Sequence, residues 1–235
     1  MSPIDPGRIA AVVFDLDGVL LDTTENMRIA FTAAWQAAGR TTEPPFTEFL
    51  TRMGAPLSEI LNAFGLPPAT SAVYATASSA HLDLVHAFPG IVELLQGLRS
   101  IAMPVAVATG KSQQRALQAL DAGGLSDYVD VVVGSDRVPH PKPAPDSLHL
   151  ALAELARAGY PPASTRDTVF IGDSVLDMRC GRAAGAIVVG AGWGQTDPTT
   201  LLAEGPDALA PTCADLAALL GRQTTTTGAA GGVIR

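Results

Sequence analysis

The chain has 235 residues, 47% of them hydrophobic and 16% charged, which is enough apolar material for a large core and too much for a disordered chain. Its formal net charge of −8 offers no basic stripe for nucleic acid, although one or two local cations would still hold a small anion. No apolar run approaches the roughly 18 residues that span a bilayer, so no membrane partner is expected.

In chain order, the N-terminal "MSPIDPGRIA" lacks the basic flank and apolar run of an export signal. With Cys180 and Cys213 the only cysteines, free thiols and a cytoplasmic location are expected. Residues 10–15 read as a buried strand that ends on Asp15, with Asp17 two positions later. Residues 24–38 place Met27, Ala30, Phe31, Ala34, Trp35 and Ala38 at the spacing of an amphipathic helix. Further helices are expected near 46–53, 56–64 and 70–86, with no convincing strand anywhere in 21–87. From Pro89-Gly90 onward, helical and strand patterns alternate. "IVELLQGLRS", "SQQRALQAL", residues 146–158 and "VLDMRCGRAAG" read as helices, and "PVAVAT", "YVDVVVG", "TVFIGD" and "AIVVG" as strands. Such alternation predicts an α/β fold, a doubly wound, Rossmann-like parallel sheet. The expected organisation is an α/β core from 1–20 and 88–222, an inserted all-helical block over 21–87, and a disordered tail over 223–235.

In sheets of this kind, ligands bind at the carboxyl ends of the strands. Four such ends carry polar groups: Asp15 and Asp17, Thr109 with Gly110, Lys142, and Asp173. Taken singly, Asp173 is an ordinary helix cap and Thr109 an ordinary turn residue. Taken together, three carboxylates, a hydroxyl and an ammonium group exceed what packing needs. Thirteen of the 15 basic residues are arginine, and the two lysines, Lys111 and Lys142, both lie in these loops. Lys142 is read as functional. Lys111 is left open between the site and the surface of the following helix. Clustered carboxylates repel one another, and a divalent cation relieves them. Mg²⁺ favours oxygen ligands and phosphate company, and Asp15 and Asp173 can supply those oxygens, with Asp177 a further candidate. Asp177 lies one helical turn after Asp173 and faces the same way.

In this order, "FDLDGVLLDT", "ATGKS", "PHPKPAPD" and "IGDSVLD" resemble the four motifs of the haloacid dehalogenase superfamily. The likeness runs from residue 9 to about 220. The position of the helical insert is similar to the cap of the phosphoglycolate phosphatase and beta-phosphoglucomutase branch. The resemblance implies a phosphoric monoester hydrolase. Asp15 would be the nucleophile that forms an aspartyl-phosphate, and Asp17 the general acid and then base. Thr109 would bind phosphate, and Lys142 would hold nucleophile and phosphate together. Mg²⁺ would sit on Asp173, Asp15 and the backbone carbonyl of Asp17, with Asp177 a ligand or a support to one. Gly110 departs from the pattern, since many relatives have Asn there. Its N–H would still face phosphate, without a side-chain contact to substrate.

Asp17 argues against carbon–halogen hydrolysis, and the absence of Lys from 21–87 against a Schiff-base phosphonatase. A phosphomutase of the beta-phosphoglucomutase type and a phosphoglycolate phosphatase are the alternatives. Substrate choice is expected in "FTEFLTRMGAPLSEIL", where Arg52 is a candidate contact for an anionic substrate group and Gly54 for close approach of insert to core. His81, His86 and His140 are expected to be surface or loop residues. "EPPFTEF", "GSDRVPHPKPAPD" and "GWGQTDP" are also similar to phosphatases associated with 3-amino-5-hydroxybenzoate biosynthesis. That likeness implies a sugar phosphate or related small phosphorylated metabolite of antibiotic biosynthesis as partner. The chain itself is expected to be a monomer or homodimer.

Overall fold

A computed structural model describes residues 4–221, so the expected tail over 223–235 lies outside the described residues. The chain opens with β1 (Ala11–Phe14) and the two-residue β2 (Leu21–Asp22). Four helices follow: α1 (Thr24–Ala37), α2 (Phe46–Leu50), α3 (Leu57–Ala63) and α4 (Thr70–Ala80). After β3 (His86–Ala87) come α5 (Ile91–Ser100), β4 (Val105–Ala108), α6 (Gln113–Ala122), β5 (Val131–Val133) and α7 (Asp146–Arg157). The rest is β6 (Thr168–Gly172), α8 (Val175–Ala184), β7 (Ile187–Ala191), α9 (Pro198–Ala203), β8 (Ala208–Ala210) and α10 (Cys213–Leu219).

Six strands form one parallel sheet in the order β5-β4-β1-β6-β7-β8. All four residues of β1 are buried, as expected of a central parallel strand covered on both faces. Alternation decides which face each serves. Val12 and Phe14 join Val105, Val107, Val169 and Ile171 beneath α5, α6 and α10. Ala11 and Val13 join Ala106, Ala108 and Phe170 against α7 and α8. The chain winds from β1 outward through β4 and β5, then crosses back to β6 on the other side of β1. The loops at the carboxyl ends therefore diverge around β1, which is where such sheets open a crevice.

The block between β2 and β3 has its own apolar cluster. Met27, Ala30, Phe31, Ala34 and Trp35 of α1 are buried, as their spacing predicts. The Phe31 ring lies tilted against Phe49 and Phe64, with centroids 4.5 Å and 5.2 Å away, and α1 packs along α4. Three boundaries differ from the sequence reading. The helix expected over 46–53 stops at Leu50, and a turn containing Gly54 follows. The helix expected over 70–86 stops at Ala80. The stretch 21–87, read as free of strands, contains an antiparallel pair, Leu21 with Ala87 and Asp22 with His86. Two residues per strand are too few to show an alternating pattern.

Strand β8 and helices α9 and α10 were not singled out from sequence. Their signals were present. Asp197 caps α9 by accepting from the N–H groups of Thr199 and Thr200, with Pro198 at the first helical position. Thr212 and Asp215 form a capping box at the start of α10.

Candidate active site

The ends of β1, β4 and β6 and the loop after β5 each contribute a buried polar group. Asp15 follows β1, and its N–H donates to the Ile171 carbonyl of β6 at 2.8 Å, which fixes the backbone there. Its carboxylate Oδ1 accepts from Lys142 Nζ at 2.7 Å, and the same ammonium donates to Asp177 Oδ1 at 2.5 Å. Lys142 is 3% exposed. Asp177 is held by its place in α8, because Ser174 and Asp177 cap the helix reciprocally. Ser174 N–H and Oγ both donate to Asp177 Oδ2. Asp173 follows β6 and accepts at Oδ2 from the Gln195 N–H at 2.7 Å.

The carboxylates of Asp15, Asp173 and Asp177 each offer an oxygen within 4.8 Å of the others, and all three residues are buried. One ammonium among three carboxylates leaves the cluster negative. Burial pushes the Asp15 carboxyl up to about 7, with Lys142 opposing and Asp177 adding to the rise. Burial, then Asp177 and Asp15, hold Asp173 well above the usual carboxylate range. Burial alone would lower Lys142, but Asp15 and Asp177 outweigh it and leave its ammonium harder to deprotonate than in water. Hard oxygen donors with surplus negative charge in a buried site are the donor set of a small divalent cation.

Asp17 does not bring its carboxylate to this cluster. Its Oδ1 accepts from Thr23 Oγ1 at 2.6 Å, and its Oδ2 pairs with Lys111 Nζ at 3.0 Å. Lys111, left undecided by the sequence, is thus a buried partner of Asp17 and not a residue of the α6 surface. Thr109 caps β4, donates its N–H to the Val133 carbonyl, and accepts at Oγ1 from the Lys111 N–H at 3.2 Å.

The helical block covers these groups. Met27, Phe49, Met53, Leu57, Ile60 and Tyr74 face Asp15, Asp17, Thr109 and Lys111 across a cavity of about 30 Å³, room for about two waters. Two glycines allow close contact between block and core. A Cβ on Gly110 would overlap the Gly54 carbonyl, so the departure from Asn at 110 has a steric reason. Gly54 itself has φ +92°, and a Cβ there would come within 2.7 Å of Ser174 Oγ.

Arg52 stands apart from this group. Its guanidinium pairs with Glu48 Oε1 at 3.0 Å, one turn back, and lies over the Phe64 ring. It lines a neighbouring cavity with Thr47, Gln195 and Asp197. His140 pairs with Asp146 on the surface, and His81 bonds the Ala77 carbonyl. Sequence reasoning missed Thr23, Tyr74 and Arg115. Of these, Arg115 had a signal, four positions after Lys111 where α6 begins.

A parallel sheet that gathers carboxylates, a hydroxyl and lysine at its strand ends, beneath an inserted helical block, defines a class of hydrolases that share one core. The family model of the haloacid dehalogenase-like hydrolases matches residues 12–191, and the chain belongs to that family. It is 32% identical over 223 residues to a protein of Dickeya dadantii named probable phosphatase IndB, covering 87% of this chain and 90% of that one. It is 29% identical to the pyrophosphatase PpaX of Bacillus velezensis, covering 91% and 97%. Among solved structures, CbbY from Rhodobacter sphaeroides, determined in complex with phosphate, superposes with a TM-score of 0.76 at 26% identity, covering 91% of this chain and 99% of that one.

Proposed function

We propose that the protein is a Mg²⁺-dependent phosphatase that hydrolyses a small phosphate monoester through an aspartyl-phosphate on Asp15. The observation that carries this reading is the separate housing of two carboxylates. Asp15 sits with Lys142 and the acidic cluster, while Asp17 is held by Thr23 and Lys111. Two carboxyl groups in unlike surroundings suit two different tasks.

In this scheme an Asp15 oxygen attacks phosphorus as the bond from phosphorus to the leaving oxygen breaks. Asp17 gives its proton to that oxygen, then takes one from the water that attacks the aspartyl-phosphate. The Thr109 hydroxyl and Gly110 N–H bind phosphoryl oxygens, and Lys142 orients Asp15 and balances charge. Asp177 and Ser174 keep Lys142 in place. Mg²⁺ would be held by Asp15, Asp173 and the Asp17 backbone carbonyl, beside Asp177. When bound, it would offset the negative charge of carboxylates and phosphate.

The helical block acts as a cap over the core. With about 30 Å³ beneath it, substrate enters only after the block lifts, and its return excludes bulk water. The names of the relatives make phosphate esters and pyrophosphate the compounds to try first, and the motif resemblance adds sugar phosphates of antibiotic pathways to the esters. Cys180 and Cys213 are both free and buried, which agrees with work in a reducing cytoplasm. The test is phosphate release from a panel of monoesters and pyrophosphate, with Mg²⁺ or EDTA. Release that needs Mg²⁺ and is lost in Asp15→Asn supports the reading. Undiminished release by Asp15→Asn overturns it.

A further inference from the structure

Arg115 lies in the first turn of α6 and lines the same cavity as Asp15, Asp17 and Lys111. Its Nε is buried and has no hydrogen-bond partner, the one buried side-chain nitrogen or oxygen of which this is true among the described residues. Its guanidinium lies over the ring of Tyr74, 5.0 Å from the centroid, and so spans from core to helical block. Other arginines facing an acid here pair with it, as Arg179 does with Glu204 and Arg137 with Glu154. Arg115 has no carboxylate partner among the described residues.

The charge balance of the cavity is therefore divided. On the Asp15 side, carboxylates exceed cations. On the Asp17 side, Lys111 and Arg115 face a single carboxylate, and that one is taken by Lys111. Burial lowers the Lys111 ammonium pKa, Asp17 opposes, and Arg115 adds to the fall, as expected of two cations crowded together. The lining from the helical block is otherwise apolar, with Phe49, Met53, Leu57 and Ile60. A half-buried guanidinium whose buried Nε has no partner, facing an apolar wall and beside a second cation, is organised to meet an anion.

We propose that Arg115 is the anchor of a subsite for a second acidic group, a carboxylate or a phosphoryl group, carried on the leaving part of the substrate. This rests on the phosphatase reading above and names its class of leaving group. Asp17 is the group assigned to the leaving oxygen, and Arg115 lines the same cavity and stands near Lys111, the partner of Asp17, so the guanidinium belongs to the wall that the leaving part meets. The planar fork of Arg suits either acid.

The test measures affinity and turnover separately. Binding to the Asp15→Asn protein with Mg²⁺ is measured by calorimetry for two matched pairs: phosphoglycolate against 2-hydroxyethyl phosphate, and glucose 1,6-bisphosphate against glucose 1-phosphate. The acidic member of at least one pair binds about tenfold tighter or more, and the pair that shows it tells carboxylate from phosphoryl. Adding Arg115→Gln removes that preference, and Arg115→Lys, which keeps the charge, restores part of it. Equal affinity within both pairs overturns the proposal with no variant needed, and so does a preference that survives Arg115→Gln. Turnover of the neutral members by the unaltered protein reports on the phosphatase reading alone, so either idea fails without the other.

Discussion

Lys142 and Asp177 form an ion pair in which neither side chain reaches solvent, with Nζ 2.5 Å from Oδ1 and side-chain exposures of 1% and 0%. Such a pair is costly to desolvate and costlier to break. Its place next to Asp15 gives it a use, because the same ammonium fixes the carboxylate proposed to attack phosphorus. Lys142→Met leaves Asp15 and Asp177 facing each other without a cation. The variant is expected to lose about 3–5 kcal/mol of stability in urea unfolding, together with nearly all phosphate release. A fully stable Lys142→Met protein would count against the pair as a structural keystone.

Asp15→Asn removes one of three mutually repelling carboxylates and keeps the shape of the side chain. The protein is expected to fold, with a cooperative thermal transition, and to lose turnover by about a thousandfold or more. Circular dichroism melts and phosphate release check the two halves independently.

The raised Asp15 pKa, about 7 against an ordinary 3.8, makes the folded metal-free chain hold a proton that the unfolded chain releases. Below the unfolded value both states are protonated and nothing is lost. Between the two values stability falls as pH rises, because the unfolded state has fewer bound protons to part with. Asp173 is shifted in the same direction. Mg²⁺ is expected to reverse this cost, so it should raise Tm more at pH 8 than at pH 5. Melts with Mg²⁺ and with EDTA at the two pH values measure the difference. Equal stabilisation at both would separate metal binding from the cluster's charge.

Gly110→Ala places a Cβ against the Gly54 carbonyl. The helical block is expected to stay lifted, and kcat to fall about a hundredfold, the scale of a misplacement near 1 Å. Small-angle scattering should show a larger radius of gyration than for the unaltered chain. An unchanged radius with unchanged kcat would mean that this contact does not govern closure.

The sheet and the polar strand ends were legible because each strand is a run of apolar residues that stops at a charge or a hydroxyl. Asp15 after "AVVF" and Asp173 after "TVFIG" are plain in that way. Helix α1 was legible from the spacing of Met27, Phe31 and Trp35. What failed was local or depended on distant partners. The pair of β2 and β3 is too short for periodicity. Whether Lys111 is buried is decided by Asp17, 94 positions earlier in the chain. The need for glycine at 110 comes from a backbone segment 56 positions earlier, which no window of sequence can show.

The pairing of β2 with β3 has one more consequence. The chain leaves the core and returns to it through two antiparallel strands, Leu21 beside Ala87 and Asp22 beside His86. Neighbouring strands lie about 4.8 Å apart, so the whole intervening stretch begins and ends at nearly one point. A different stretch of any length could be spliced across that gap with the sheet left undisturbed. The sheet and the stretch that carries α1 to α4 are thereby separable parts of the gene, and one contiguous segment could be exchanged without touching the strands.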